Sequence, residues 1–299
     1  LVSRNLEMKG FSFSERMNAF GFIFPALLLL AVVMLYPLLY GIYISFFDTN
    51  LLTKFDFVGL GNYLSIFSDQ GFWSSIWVTI VFSLGTVLLQ LILGMSVASY
   101  LNTRIYGRSV FRAVLLIPWM LSMVVGGLLW RWIYNPMYGL LNNFLIGLGL
   151  LDQGVAWLGI PDLAMFSVII AYAWKSFSFS MLMILAGLQS IPKDLCEAAE
   201  CDGGGRWTVF RHVVLPHIGN IVLITSLLDF FRSFKEFPMI FVMTGGGPGT
   251  ATNVISNSVR QVAFDQIRFG YSSAMACVML LLLLISSILL NRMTRSDWR

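Results

Sequence analysis

Residues 70–103 run without a single Asp, Glu, Lys or Arg. A helix needs about 20 apolar residues to cross a hydrocarbon core, and a longer run in a water-soluble chain would have to be buried around its whole circumference. Residues 17–47 and 269–291 are also charge-free, 113–130 is shorter but apolar, 163–192 contains only Lys175, and 212–243 holds a compact charged cluster. Six crossings are therefore expected, the third being the shortest. Composition agrees, since 58% of the 299 residues are hydrophobic and 11% charged, against about 25% charged in ordinary soluble domains. Val278 to Leu290 is apolar on every side, unlike the single stripe of a soluble helix, and none of the runs alternates as barrel strands do. The expected fold class is all-α, a polytopic membrane protein with about six transmembrane helices.

Orientation follows from the basic residues. One side would carry both termini and Arg4, Lys9, Arg16, Arg104, Arg108, Arg112, Lys193, Arg206, Arg211, Arg292, Arg295 and Arg299; the other would carry Lys54, Arg131, Arg260 and Arg268. The imbalance makes the first side cytoplasmic. The net charge of +4 is then a topology signal. Nucleic-acid binding is not expected, because it requires a basic face on a soluble element. The chain starts at Leu1, so its native start is expected to be missing or processed, and the first apolar run is too long for a cleaved secretory signal.

The expected helices are Ala19–Phe47, bent at Pro25 or Pro37, then Phe72–Leu101, Ser109–Tyr134 interrupted at Pro118, Asp162–Gln189, His217–Met243 and Tyr271–Asn291. Gly59-Leu60-Gly61-Asn62-Tyr63 reads as a turn-rich outer loop. In the next outer segment Tyr138 and Trp157 suit a membrane interface. Thr244-Gly245-Gly246-Gly247-Pro248-Gly249 ends the fifth helix. Cys196, Cys201 and Cys277 form neither a disulfide framework nor a zinc ligand set.

Between the fourth and fifth crossings lies a polar stretch, residues 190–216. Pro192 suits a first helical turn, and Leu195, Ala198 and Ala199 can share a face. Asp202-Gly203-Gly204-Gly205 must break that helix, and Trp207, Phe210 and Val214 fall at i, i+3 and i+7 on a second short one. A pair of helices lying on the lipid surface would satisfy the same pattern. Trp174-Lys175, Leu185-Ala186-Gly187-Leu188-Gln189, Ile191-Pro192, Glu197-Ala198-Ala199, Asp202-Gly203 and Leu215-Pro216 go further. Together with Thr244–Pro248, Ala251-Thr252 and Phe269-Gly270-Tyr271, they resemble the inner-membrane permease subunits of binding-protein-dependent ABC importers, in the maltose/glycerol-phosphate (carbohydrate) class.

That resemblance implies a lead-in over 1–18, a permease domain over 19–291 with a cytoplasmic coupling-helix loop at 190–216, and a tail over 292–299. It implies ATPase subunits docked on Glu197, Ala198, Ala199, Asp202 and Gly203, with ATP and Mg on those partners and no cofactor on this chain. It also implies a second permease subunit, related or identical, and an extracytoplasmic solute-binding protein, in a bacterial inner membrane. The family usually has alanine after Asp-Gly; Gly204 and Gly205 stand here, so a looser turn is expected.

Lys175, Asp229, Arg232, Lys235 and Glu236 fall inside expected helices, where a charge costs several kcal/mol and marks a pathway or a pair. Asp229 with Arg232 and Arg232 with Glu236 have intrahelical pairing distances. The alternative is a polar translocation chamber, to which Tyr172, Trp174 and Phe231 would add flat faces for sugar rings. Three positive against two negative charges lean toward an anionic solute such as a uronate oligosaccharide. None of the five lysines follows a glycine, so there is no P-loop, and catalysis on this chain is not expected. The function implied is alternating-access import of carbohydrates driven by a separate ATPase. The competing class is an ion-coupled secondary transporter using Asp229 or Glu236.

Overall fold

The structure, a computed structural model, describes residues 13–103 and 106–296, with side chains from 22 to 288. The 1–18 lead-in up to residue 12, residues 297–299, and the side chains of Arg4, Lys9, Arg16, Arg104, Arg292, Arg295 and Arg299 lie outside what is described.

The first crossing joins α1 (Phe13–Leu30), a π-helical turn at Ala31–Leu35 and α2 (Tyr36–Ile44). It ends earlier than expected because the chain turns into an antiparallel hairpin, β1 (Phe47–Thr49) with β2 (Phe55–Phe57). The Gly59–Tyr63 loop is partly helical, since α3 starts at Gly61 and runs to Ser68. Asn62 fastens it beneath the hairpin, donating to the carbonyls of Ser45 and Phe47, both at 2.9 Å.

Next comes α4 (Gln70–Asn102), followed by α5 (Arg108–Met120) and α6 (Met123–Ile133). The expected third helix is not one rod. α5 and α6 meet at 96°, and the break lies at Leu121-Ser122, downstream of Pro118, which remains inside α5. Both break residues are extended, and Ser122 Oγ accepts from Val124 N at 3.3 Å, starting α6 as an N-cap.

The segment between α6 and the next crossing folds α7 (Leu140–Gly147) around Asn142. That buried amide donates to Val155 O at 3.0 Å and accepts from Trp157 Nε1 at 2.8 Å. Trp157 is thus tied into the fold of this segment.

Beyond it lie α8 (Pro161–Ser190), α9 (Lys193–Cys201) and α10 (Arg206–Val209). A π-turn at Phe210–Val214 then leads into α11 (Leu215–Phe234). The fifth crossing runs from Arg206 to Phe234 and so starts about three turns before the expected His217, because Pro216 does not stop it. These two π-turns end two residues before a proline, Pro37 and Pro216, whereas a third, Gln261–Asp265, has no proline after it. Proline leaves the carbonyl four residues back without its N–H, and a wider turn lets the helix pass that gap. The crossing stops at Phe234 instead of Met243, and α12 (Pro238–Met243) is a separate piece. α13 (Ile255–Arg260) and α14 (Phe269–Ser296) complete the chain.

Five helices are long and apolar enough to span a membrane, and the bent α5–α6 pair makes up to six. α4 and α8 pack along their length. Glycine permits this approach: a Cβ on Gly94 would stand 2.9 Å from Ser180 Cβ and 3.0 Å from Met181 N. From Phe22 to Tyr43 nearly every apolar side chain is exposed, a face suited to lipid or a partner helix.

Candidate functional site: a central cavity and an exposed helical turn

Two helix breaks meet inside the bundle. At the first, Lys175 reaches from the middle of α8 and its ammonium donates to Trp119 O at 3.3 Å. The carbonyls of a final helical turn have no intrahelical partner and carry the negative end of the macrodipole, so a cation there is favourably placed. At the second, α11 ends and Glu236 turns back so that its Oε1 accepts from Met239 N at 2.9 Å, the start of α12. Ser256 donates to the Glu236 carbonyl. The half-helices α6 and α12 lie against each other, and a Cβ on Gly127 would stand 3.3 Å from Met239 O.

A cavity of about 350 Å³ opens at this junction. Tyr172, Lys175, Asp229, Arg232, Lys235 and Glu236 line it, so six of the seven pathway candidates read from the sequence come together. Trp174 does not. It packs edge-on against Trp130 at 5.6 Å between centroids. Phe231 is likewise absent from the lining and contacts Phe230. Four lining residues escaped the sequence reading: Gln90, Trp119, Met123 and Ser176. Gln90 carried a signal, as the one amide away from the ends of the charge-free run 70–103, where Gln70 and Asn102 are the others.

The charges are partly committed. Ser180 Oγ donates to the buried Asp229 Oδ2 at 2.5 Å, and Arg232 Nη1 lies 4.0 Å from Oδ1. The Arg232 guanidinium also sits 3.8 Å above the Phe179 ring. The expected Arg232–Glu236 pair is not among the ion pairs of the described residues, because the helix that would have aligned it ends at Phe234. The remaining expected pair, Asp229–Arg232, is present.

At the far end of α4, α9 projects without one buried residue. Glu197 and Ala198 are exposed, Ala199 is half-buried, and Asp202 and Gly203 are exposed. Gly203 has φ +88°, which residues with a Cβ rarely adopt. The turn is not loose. Gly204 N donates to Ala199 O at 2.9 Å, and a Cβ on Gly204 would meet that oxygen at 2.6 Å. The second glycine is thus a requirement of a tight turn. No second short helix stands apart, since α10 runs into the fifth crossing. Its buried residue is Val209, whereas Trp207 is exposed and stacks on Phe210 at 5.6 Å. A cleft of about 1030 Å³, lined by Arg108, Gln189, Lys193, Glu197 and Glu200 among others, separates α9 from the α4–α5 turn.

Residues 90–296 match the family model described as binding-protein-dependent transport system inner membrane component. The chain is 37% identical over 298 residues, 98% of its length and 99% of the relative's, to the trehalose/maltose transport system permease protein MalF of Thermococcus litoralis. It is 34% identical to the sulfoquinovosyl glycerol transport system permease protein SmoG of Agrobacterium fabrum, covering 94% and 92% of the two chains. Its backbone resembles a chain of a bacterial alginate ABC transporter, solved with an alginate pentasaccharide-bound periplasmic protein. The TM-score there is 0.81 at 21% identity, with 95% and 96% coverage. With its multi-pass helices, its glycine-locked turn and these full-length matches, the chain belongs to the family of inner membrane components of binding-protein-dependent transport systems.

Proposed function

We propose that this chain is the pore-lining subunit of an ATP-driven importer of carbohydrates, oligosaccharides in particular, working by alternating access. The observation that carries the reading is the charged cavity at the junction of two broken helices. Intramembrane charge is retained where it lines a pathway, and discontinuous helices supply the movable walls of such sites. The relatives' names support the solute class: trehalose/maltose, sulfoquinovosyl glycerol and, in another relative, starch degradation products.

An acidic sugar is favoured within that class. Both carboxylates of the cavity already accept hydrogen bonds, Asp229 from Ser180 and Glu236 from Met239 N. Lys235 and the exposed part of Arg232 remain available to an anion.

Glu197, Ala198, Ala199, Asp202 and Gly203 would seat an ATPase subunit carrying ATP and Mg, with both termini cytoplasmic. A second membrane subunit would complete the pore, and a solute-binding protein would deliver solute at the hairpin end. In proteoliposomes holding the full complex, ATP should drive uptake of a uronate oligosaccharide in preference to its neutral analogue. Equal uptake of the two removes the acidic preference. Uptake driven by a proton gradient without ATP or an ATPase overturns the importer assignment in favour of ion coupling through Asp229 or Glu236.

A further inference from the structure

The buried polar residues of α4 are arranged in a way that the central cavity alone does not explain. Ser75, Thr79, Ser83, Thr86 and Gln90 are each at most 2% exposed. At 3.6 residues per turn they share one strip spanning an arc of roughly 80° and about 22 Å long. The two ends of the strip open into different spaces. Ser75 lines a polar pocket of about 510 Å³ at the hairpin end, with Asp69, Gln70, Asn253 and Gln261. Gln90 lines the 350 Å³ cavity at the helix breaks.

Small polar residues between membrane helices commonly serve as glue by bonding across to a neighbour. These mostly do not. Ser75, Thr79 and Thr86 donate to carbonyls of their own helix, Phe72, Ser75 and Ser83, at 2.7, 2.6 and 2.9 Å. Only Thr79 is also bonded from another element, accepting from Ile255 N at 2.8 Å. Ser83 Oγ and both amide atoms of Gln90 are buried with no hydrogen-bond partner. Such atoms cost stability without contributing to this conformation, so their use is expected in another.

We propose that Ser75, Thr79, Ser83, Thr86 and Gln90 form the wall of the outer half of the translocation path. The wall is closed here and is wetted when the bundle opens away from α9, where its hydroxyls and the Gln90 amide receive the hydroxyl groups of a passing saccharide. The assignment rests on the importer reading and names the route that the solute follows to the cavity. A neutral wall suits a sugar backbone, because it exchanges hydrogen bonds with hydroxyls along its length without holding a charge at any one place.

The test is cysteine accessibility in proteoliposomes of the complete transporter, with Cys196, Cys201 and Cys277 replaced by serine. A membrane-impermeant cationic methanethiosulfonate is added from the side opposite α9. Ser75→Cys should react without nucleotide. Ser83→Cys and Thr86→Cys should react at least about tenfold faster with ATP and vanadate than without, as a shift to an open state requires. Val87→Cys and Ala98→Cys, buried on the same helix but off the strip, should stay inert. Reaction of Ser83→Cys and Thr86→Cys no faster than that of Val87→Cys in either state overturns the proposal. The double variant Ser83→Ala with Gln90→Leu gives a second reading. It should keep thermal stability while losing at least about fivefold in saccharide uptake, and unchanged uptake overturns the wall. Labelling needs no solute. Cysteine variants that label as expected, in a complex whose native form takes up no saccharide, therefore refute the solute class and leave the path standing.

Discussion

Lys175 Nζ donates to Trp119 O across 3.3 Å, tying the centre of one continuous helix to the broken end of another 56 residues earlier. The bond sets a buried cation on the negative end of α5 at the point where the third crossing bends by 96°. A local contact thus holds a global feature, the bend that makes room for the cavity.

Replacing Lys175 with Met should leave that helix end uncapped, at a cost of about 0.3–2 kcal/mol by the helix-dipole scale. Uptake should fall far more than thermal stability does, with Lys175→Arg recovering part of it. Paired uptake and melting measurements on detergent-purified and reconstituted complex check this. Equal loss with Met and Arg would mean that shape, not charge, holds the bend.

Gly203→Val and Gly204→Ala should each disrupt the turn after α9. The first forces a β-branched residue to φ +88°, and the second brings a Cβ to 2.6 Å from Ala199 O. A left-handed residue with a Cβ costs about 1–2 kcal/mol. Membrane levels should be near normal while co-purification of the ATPase drops. Gly205, whose Cβ would meet nothing, should tolerate alanine with full capture.

Asp229→Asn keeps an oxygen to accept from Ser180 and should retain most ATP-driven uptake. Asp229→Leu leaves the Ser180 hydroxyl and the Arg232 charge without that partner, a penalty of about 1–3 kcal/mol for an unsatisfied buried group. It should lower both the melting temperature and uptake. An Asn variant that hydrolyses ATP normally but moves no solute would instead give Asp229 a direct role in transport.

Gly94→Val should loosen the α4–α8 contact. Even a bare Cβ would sit 2.9 Å from Ser180 Cβ and 3.0 Å from a backbone nitrogen. Overpacking of this kind costs about 1–3 kcal/mol, and the melting temperature in detergent should fall, while Gly219→Ala, with open space at its Cβ, should not change it.

Much of the architecture was legible because hydropathy reports each helix separately. The charge-free run 70–103 became α4 almost residue for residue, and 163–192 became α8. The breaks were not legible in the same way. Pro118 reads as a helix breaker yet lies inside α5, whereas the bend falls at Leu121-Ser122. Ser122 is a favoured N-cap residue and accepts from Val124 N, but Pro118 nearby is the more conspicuous breaker. Similarly, Asp229, Arg232 and Glu236 had the spacing of one ion-paired helix face, but Glu236 left that face to cap α12.

By itself the sequence determined the environment, the number of crossings and the position of the polar turn, because apolar length and glycine spacing act locally along the chain. Only the tertiary structure decided which charges meet, that Trp174 turns to Trp130 and away from the cavity, and that Gln90 lies buried with its amide unpaired. Those outcomes depend on where one helix ends against another. Such contacts arise between residues far apart in the chain, where periodicity carries no information.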